Sequence, residues 1–260
     1  MEPRVLIVIP TLGNRIEFLR AAFDSIRAQG PGIDITLVTP AERIGARAVA
    51  AEYGARVLDD PGSLPGAVKM AVAAAEPHHE FVNWLGDDDL LAPGAVQACV
   101  DALDADPSAV LSFGDCAYID DQGRHLWTNR TGRFAPWLLS WGPDLVPQPG
   151  ALIRTTAWQC ARGVDETLSH AFDLDLLLKL KRQGSFVHVG RVVSSFRWHA
   201  DSLTVADRSK SLAESEAVKR RYLGPVARRV AWTWELPVRV ATKVAAREVG
   251  RRAQRVLQAN

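Results

Sequence analysis

The stretch "FVNWLGDDDLLAP", residues 81–93, runs five mostly apolar residues into a glycine and three consecutive aspartates, then returns at once to leucine. The apolar run has the length of a buried strand, and the acidic residues stand where that strand should end. Adjacent carboxylates repel, so three of them together need solvent, hydrogen-bond donors or a cation. Upstream, short β-branched runs at residues 4–9, 34–39 and 56–58 alternate with helical patterns over 16–29, 42–53 and 65–75. That alternation predicts an α/β fold with a mostly parallel central sheet flanked by helices.

Downstream, "PGAVQACVDALDADP" reads as a helix with Pro93 in its first turn, "AVLSFGDCAYID" as a strand, and "DQG" as a hairpin turn. Residues 126–149 are rich in Trp, Gly and Pro and read as a functional loop or lid. Their tryptophans Trp127, Trp137 and Trp141 suit either core filling or a stacking platform for a sugar face. A helix in "DLDLLLKLKRQG", paired strands in "SFVHVGRVVSSFRWH" and a basic helical tail complete the chain.

The 260 residues are 47% hydrophobic and 23% charged with net charge +1, which excludes disordered, collagenous and disulfide-scaffold classes. Cys99, Cys116 and Cys160 show no metal-ligand spacing and read as small buried hydrophobes in a reducing compartment. The run "VLIVI" is too short for the core of a secretory signal, and no segment reaches the ~20 apolar residues of a membrane span. A cytoplasmic protein, soluble or peripheral on the inner face of the membrane, is the expectation. The charge is uneven: residues 219–260 hold 11 Lys and Arg against 2 Asp and Glu, leaving 20 against 28 in residues 1–218.

In an open parallel sheet, ligands bind beyond the carboxyl ends of the strands, where "GDDD" and the pair Asp59 and Asp60 are expected. In extended backbone Asp87 and Asp89 would share one face and Asp88 the other. Two converging carboxylates suit a hard cation such as Mg²⁺ or Mn²⁺ that takes further ligands from substrate phosphates. The competing use is plain helix capping by Asp88 or Asp89.

The ordered motifs "VLIVIPTLGNR", "WLGDDDLLAPGA", "GVDETLSHAFDLDLLLKL" and "FRWHADSLT" resemble the family-two glycosyltransferases of GT-A fold, over residues 4–205. The resemblance implies inverting transfer of a sugar from a nucleotide-diphosphate donor to an acceptor hydroxyl, assisted by Mg²⁺ or Mn²⁺. It places Pro10, Thr11 and Arg15 at the nucleotide pocket with Asp87 and Asp88, and makes Asp89 the foremost metal ligand, with Asp87 or Asp88 as its partner. It makes Asp173 the general base, and brings Arg197 and His199 to the diphosphate or metal. The residues depart from the family at the second strand, where Thr39 and Pro40 replace the usual nucleotide-binding aspartate; Asp59 or Asp60 is then expected to substitute. Lys69 stands in for a polar residue of the helix before the metal motif, and Phe172 replaces an acid beside Asp173.

The domain expected is residues 1–205, with a nucleotide- and metal-binding half over 1–120 and an acceptor half over 121–205, followed by a basic helical extension over 206–260. In that extension Arg239, Lys243, Arg247, Arg251 and Arg255 recur every fourth position beside an apolar face that begins at Val238, with Trp232 and Trp234 upstream. The pattern fits an anionic membrane surface, a helix packed on the domain, or a dimer contact; glycan or lipid-linked acceptors are the expected partners, and no nucleic-acid module is present. The rival reading is a catalytically silent relative that binds a nucleotide or glycan, or scaffolds an assembly at the membrane. An aspartyl phosphotransferase would place its acidic pair after the first strand, where "PTLGN" stands instead.

Overall fold

A computed structural model describes residues 4–130, 132–198 and 208–240. Strands β1 (Val5–Pro10), β2 (Ile33–Thr39), β3 (Arg56–Asp59) and β4 (Phe81–Trp84) are parallel and lie in the order β3-β2-β1-β4. Helices α1 (Ile16–Arg27), α2 (Ile44–Glu52) and α3 (Leu64–Ala73) make the crossovers. The central strand is covered on both faces, which explains its unbroken apolar run. Leu6 and Val8 pack into a core with α3, while Val5, Ile7 and Ile9 pack into a second core with α1 and α2. Helix α1 buries Leu19, Ala22, Phe23 and Ile26, the i, i+3, i+4, i+7 stripe of a helix lying on a sheet. Helix α3 starts where Ser63 Oγ accepts the Gly66 N–H at 3.2 Å, with Pro65 in the first turn.

The sheet continues from β4 through β8 (Leu152–Arg154), β6 (Ala109–Ile119) and β9 (Ser185–Arg197) to β5 (Leu90–Leu91), with β7 (His125–Asn129) hairpinned onto β6. Three local expectations are corrected. Residues 185–197 form one long strand parallel to β6 rather than a pair of strands. The strand bends instead of turning: Gly190 adopts φ 69°, and a Cβ at Gly114 of β6 would lie 2.5 Å from the Arg191 carbonyl oxygen. Helix α4 (Ala95–Ala105) begins after Gly94 at φ 67°, so Pro93 precedes the helix and no aspartate caps it. The Trp-rich segment opens as strand β7, where Trp127 stacks on Tyr118 with centroids 4.3 Å apart, and later forms the short helix α5 (Ala135–Leu138).

Helices α6 (Thr155–Cys160) and α7 (Phe172–Leu180) cover the first core, and α8 (Arg208–Tyr222) packs on α7. The Tyr222 hydroxyl donates to Asp175 Oδ1 at 2.7 Å, and Arg221 pairs with Asp165 at 3.1 Å. Helix α9 (Pro225–Val230) follows, and residues 232–240 are helical. Cys99 and Cys116 are buried as expected, but Cys160, at the end of α6, is exposed.

Candidate active site

Strand β1 has β2 on one side and β4 on the other, so the chain switches direction across it and opens a crevice at the carboxyl ends of both. Pro10, Thr11 and Arg15 enter this crevice after β1, and the three aspartates enter it after β4. The Asp89 N–H donates to the Gly86 carbonyl at 3.1 Å, so "GDDD" is a tight turn rather than extended strand, and the expected alternation of side chains fails. Thr11 Oγ donates to Asp87 Oδ2 and accepts the Gly13 N–H at 2.9 Å. The Arg15 guanidinium spans two carboxylates, reaching Asp87 Oδ1 and Asp88 Oδ2, each at 3.0 Å. Asp89 Oδ1 accepts the Arg197 backbone N–H at 3.0 Å.

The question posed by three adjacent charges therefore has a local answer: one arginine, one hydroxyl and one backbone donor are aimed at them. Burial still raises the carboxyl pKa of Asp87, against the Thr11 and Arg15 hydrogen bonds. Burial followed by the charge of Asp88 raises that of Asp89 further. A bound cation would relieve this cost. Asp88 Oδ1 and Asp89 Oδ2 converge over Gly86, where a Cβ would lie 2.9 Å from each. Both oxygens are suited to a hard divalent ion, and Thr11 and Arg15 occupy the two oxygens of Asp87. Asp88 and Asp89 could together hold Mg²⁺ or Mn²⁺, with Asp87 beside them and the remaining positions left to water and phosphate.

Among the described residues the one three-ligand His and carboxylate cluster is elsewhere: Asp34, His78 and His79. It lies at the amino ends of β2 and β4, across the sheet from the crevice. His79 Nδ1 accepts the Glu76 N–H at 2.8 Å, which leaves the ring proton on Nε2, 3.0 Å from Asp34. A metal-binding histidine shows the opposite arrangement, its second nitrogen donating rather than accepting.

Asp173, in the first turn of α7, lines the same cleft of ≈ 490 Å³ as the acidic turn. Burial lifts its carboxyl to about 6, opposed by the Leu174 N–H at 2.7 Å and assisted by the charge of Glu214. Such a carboxylate is ionised near neutrality and basic enough to accept a proton. Glu214 of α8 accepts the backbone N–H groups of Ser169, His170 and Ala171 at 3.0, 2.5 and 2.7 Å. It caps α7 from another helix, since the Ala171 side chain offers no cap of its own.

The structure brings Pro10, Arg15, Asp87, Asp88, Asp89 and Asp173 to one cleft and leaves other expected residues away from it. Asp59 pairs with Arg47 on the surface, and Asp60 closes a turn on the Gly62 N–H at 3.0 Å. Lys69 pairs with Glu166 at 2.7 Å. Trp137 is 63% exposed and packs edge-on against Trp141, and neither lines the cleft. Arg197 is buried with its guanidinium donating to the carbonyls of Asp88, Asp120 and Asp121 at 3.0, 2.8 and 3.0 Å, so it supports the turn instead of offering itself to a diphosphate. His199 lies outside the described residues.

Several cleft residues escaped the sequence reading. Tyr118, Phe196 and Trp198 build an aromatic wall, Gln148 is fixed by donating to the Trp84 carbonyl at 2.6 Å, and Ser211 and Ser215 come from α8. Asp144 also lines the cleft, and burial followed by the charge of Asp173 pushes its carboxyl up to about 7. The one available signal was the i, i+4 spacing of the two serines, which alone carries no function.

The sequence pattern that defines "Glycosyl transferase family 2" matches residues 6–157, from β1 through the acidic turn into α6. The chain belongs to this family. Chondroitin synthase of Escherichia coli is 25% identical over 129 residues, 48% of this chain and 18% of that protein. Hyaluronan synthase of Pasteurella multocida is 23% identical over 160 residues, 58% of this chain and 15% of that one. This family-two chain thus spans under a fifth of the length of the curated relatives it matches. Solved structures share its fold. Staphylococcus aureus TarS 1–349 in complex with UDP-GlcNAc aligns at TM-score 0.62 and 12% identity, covering 89% of this chain and 73% of that one. The mannosyltransferase PcManGT from Pyrobaculum calidifontis, in complex with GDP-Man and Mn²⁺, aligns at TM-score 0.66 and 17% identity, covering 100% and 80%. The fold is GT-A.

Proposed function

We propose that this family-two protein is an inverting glycosyltransferase, taking a sugar from a nucleotide-diphosphate donor to a hydroxyl of a glycan or lipid-linked acceptor. The observation that carries the reading is the cleft itself, which Asp173 and the acidic turn that follows β4 both line. The donor diphosphate lies against that turn, with Arg15 able to exchange a carboxylate for a phosphate oxygen. Asp88 and Asp89 would hold Mg²⁺ or Mn²⁺, which when bound would neutralise charge on the departing diphosphate. Asp173 takes the proton of the acceptor hydroxyl as that oxygen attacks the anomeric carbon from the face opposite the leaving group. Attack from that face inverts the configuration. The family relationship supports a nucleotide-sugar donor, as do the UDP-GlcNAc and GDP-Man carried by the two structural relatives.

A specific observation favours a second reading, a silent nucleotide-binding relative: Arg15 engages two of the three aspartates, and Thr39 and Pro40 follow β2 where a nucleotide-binding aspartate was expected. Two measurements across UDP-, GDP- and dTDP-sugars with Mn²⁺ or Mg²⁺ separate the readings. Thermal shift reports binding and product analysis reports turnover. Ligand-induced stabilisation without hydrolysis or transfer by any donor would leave the silent reading standing.

A further inference from the structure

Helix α9 and the helical residues 232–240 carry five large apolar side chains that no other described residue covers. Val226, Val230, Trp232, Leu236 and Val240 are 77%, 44%, 61%, 55% and 62% exposed. At 100° per residue they fall within an arc of roughly 160°. The opposite side is the one that meets the body. Ala231 is buried, Trp234 and Val238 face Trp141 and Leu212 across a small cavity, Glu235 accepts from Arg220, and Arg239 pairs with Glu216. The sequence pattern places Val238 on an apolar face and Arg239 at the start of a basic stripe. In the structure both meet the body, Arg239 from a partly exposed position, and a different apolar face is presented to solvent.

We infer that this face lies on an anionic phospholipid surface. The five side chains share one arc that exposed Arg228 borders, with exposed Arg229 and Thr233 among them. The sequence beyond it, residues 241–260, adds charge of the same sign: Lys243, Arg247, Arg251, Arg252 and Arg255 against Glu248 alone. An apolar strip with cations at its border and within it matches the acyl and headgroup layers of an anionic leaflet, each basic residue near the surface adding attraction. No helix among the described residues is long and apolar enough to cross the bilayer, so the contact is interfacial. The same α8 that holds this helix through Glu216 and Arg220 walls the cleft with Ser211 and Ser215. Docking would therefore bring to the headgroups a helix held by the same α8 that walls the cleft. Resting on the transfer reading above, this favours an acceptor displayed on a lipid.

The test is co-sedimentation of the full chain with phosphatidylcholine vesicles with and without phosphatidylglycerol, beside the double variant Trp232→Ser, Leu236→Gln. Both side chains are exposed, so folding is retained, which circular dichroism checks. The parent should bind the anionic vesicles only, lose binding at high salt, and bind at least about tenfold more tightly than the variant, since two large apolar side chains of the strip are withdrawn from the interface. Equal binding by parent and variant overturns the inference, as does no binding to either vesicle. A dimer in vesicle-free solution that the double variant dissociates also overturns it, because the face would then belong to a second copy. Soluble-donor hydrolysis, measured on both proteins without lipid, reports separately on the transfer reading.

Discussion

Replacing Glu214 by alanine removes the carboxylate that three backbone N–H groups of residues 169–171 share. Its loss strips the cap from α7, the helix that carries Asp173. A single cap deletion costs about 0.5–2 kcal/mol, and hydrogen bonds to a charged group sit at the upper end. Ser169 is exposed and its N–H can turn to water, so the structural cost is about 2 kcal/mol rather than three separate bonds' worth. For a chain of this size that lowers Tm by roughly 4–8 °C. Burial opposes the charge on Glu214, but the three N–H donors outweigh it and hold its carboxyl below the ordinary value. Its contribution is therefore full at neutral pH and disappears as pH falls below about 4, so the Tm gap between parent and variant should close in acid.

The chemical effect is separate from the structural one. Burial chiefly, and the Glu214 charge in addition, lifts the Asp173 carboxyl to about 6, so the parent's rate should fall on the acid side as pH drops through that value. Removing the neighbouring negative charge moves this limb to lower pH. Glu214→Gln keeps an acceptor oxygen but no charge, so it should recover part of the lost Tm while moving the acid limb as the alanine variant does. Melting by circular dichroism and donor turnover against pH supply both readouts. An unaltered acid limb in both variants would refute the electrostatic link between α8 and Asp173, and an unchanged Tm would refute the cap.

Asp173→Asn should lower transfer by roughly 10²–10⁴-fold while leaving donor-induced thermal stabilisation intact, and equal loss of both would move Asp173 from proton transfer to donor binding. Chelation should abolish turnover and lower Tm of the donor-free protein only slightly, because Arg15 and Thr11 already offset part of the charge in the acidic turn; a large drop on chelation would mean that the ion is structural. Arg197→Met leaves the carbonyls of Asp88, Asp120 and Asp121 without their shared donor and should destabilise by about 3 kcal/mol in urea unfolding, with Arg197→Lys recovering little because an ammonium lacks the planar fork.

The first half of the fold was legible because it is built from local rules. A buried parallel strand must be continuously apolar, as in Val5–Ile9, and a crossover helix must show a stripe, as in Ile16–Arg27. The acidic turn was legible through its place after a strand, and Asp173 through the resemblance of its helix start to the family's motif. What the sequence hid was set by partners far along the chain. Nothing in "GDDD" says that the Gly86 carbonyl will bind the Asp89 N–H, nor that Arg197, more than a hundred residues away, will occupy itself with main-chain carbonyls instead of a ligand. The long β9 read as two strands because its glycine looks like a turn, whereas pairing with β6 carries it through as a bend. Ser211, Ser215 and Glu214 sit in a segment that composition alone marked as a tail.

Strand β5 follows the acidic turn directly, and its pairing partner is β9, whose last residue is the same Arg197 that grips the turn from below. During synthesis the aspartates emerge early, yet their far anchor is made about a hundred residues later. A nascent chain or fragment ending near residue 120 would hold the first four strands but have no clasp on the turn that follows them. The acidic wall of the cleft is thus completed by the chain's second half, and exchanging halves between relatives should succeed only when β5 and the end of β9 travel together.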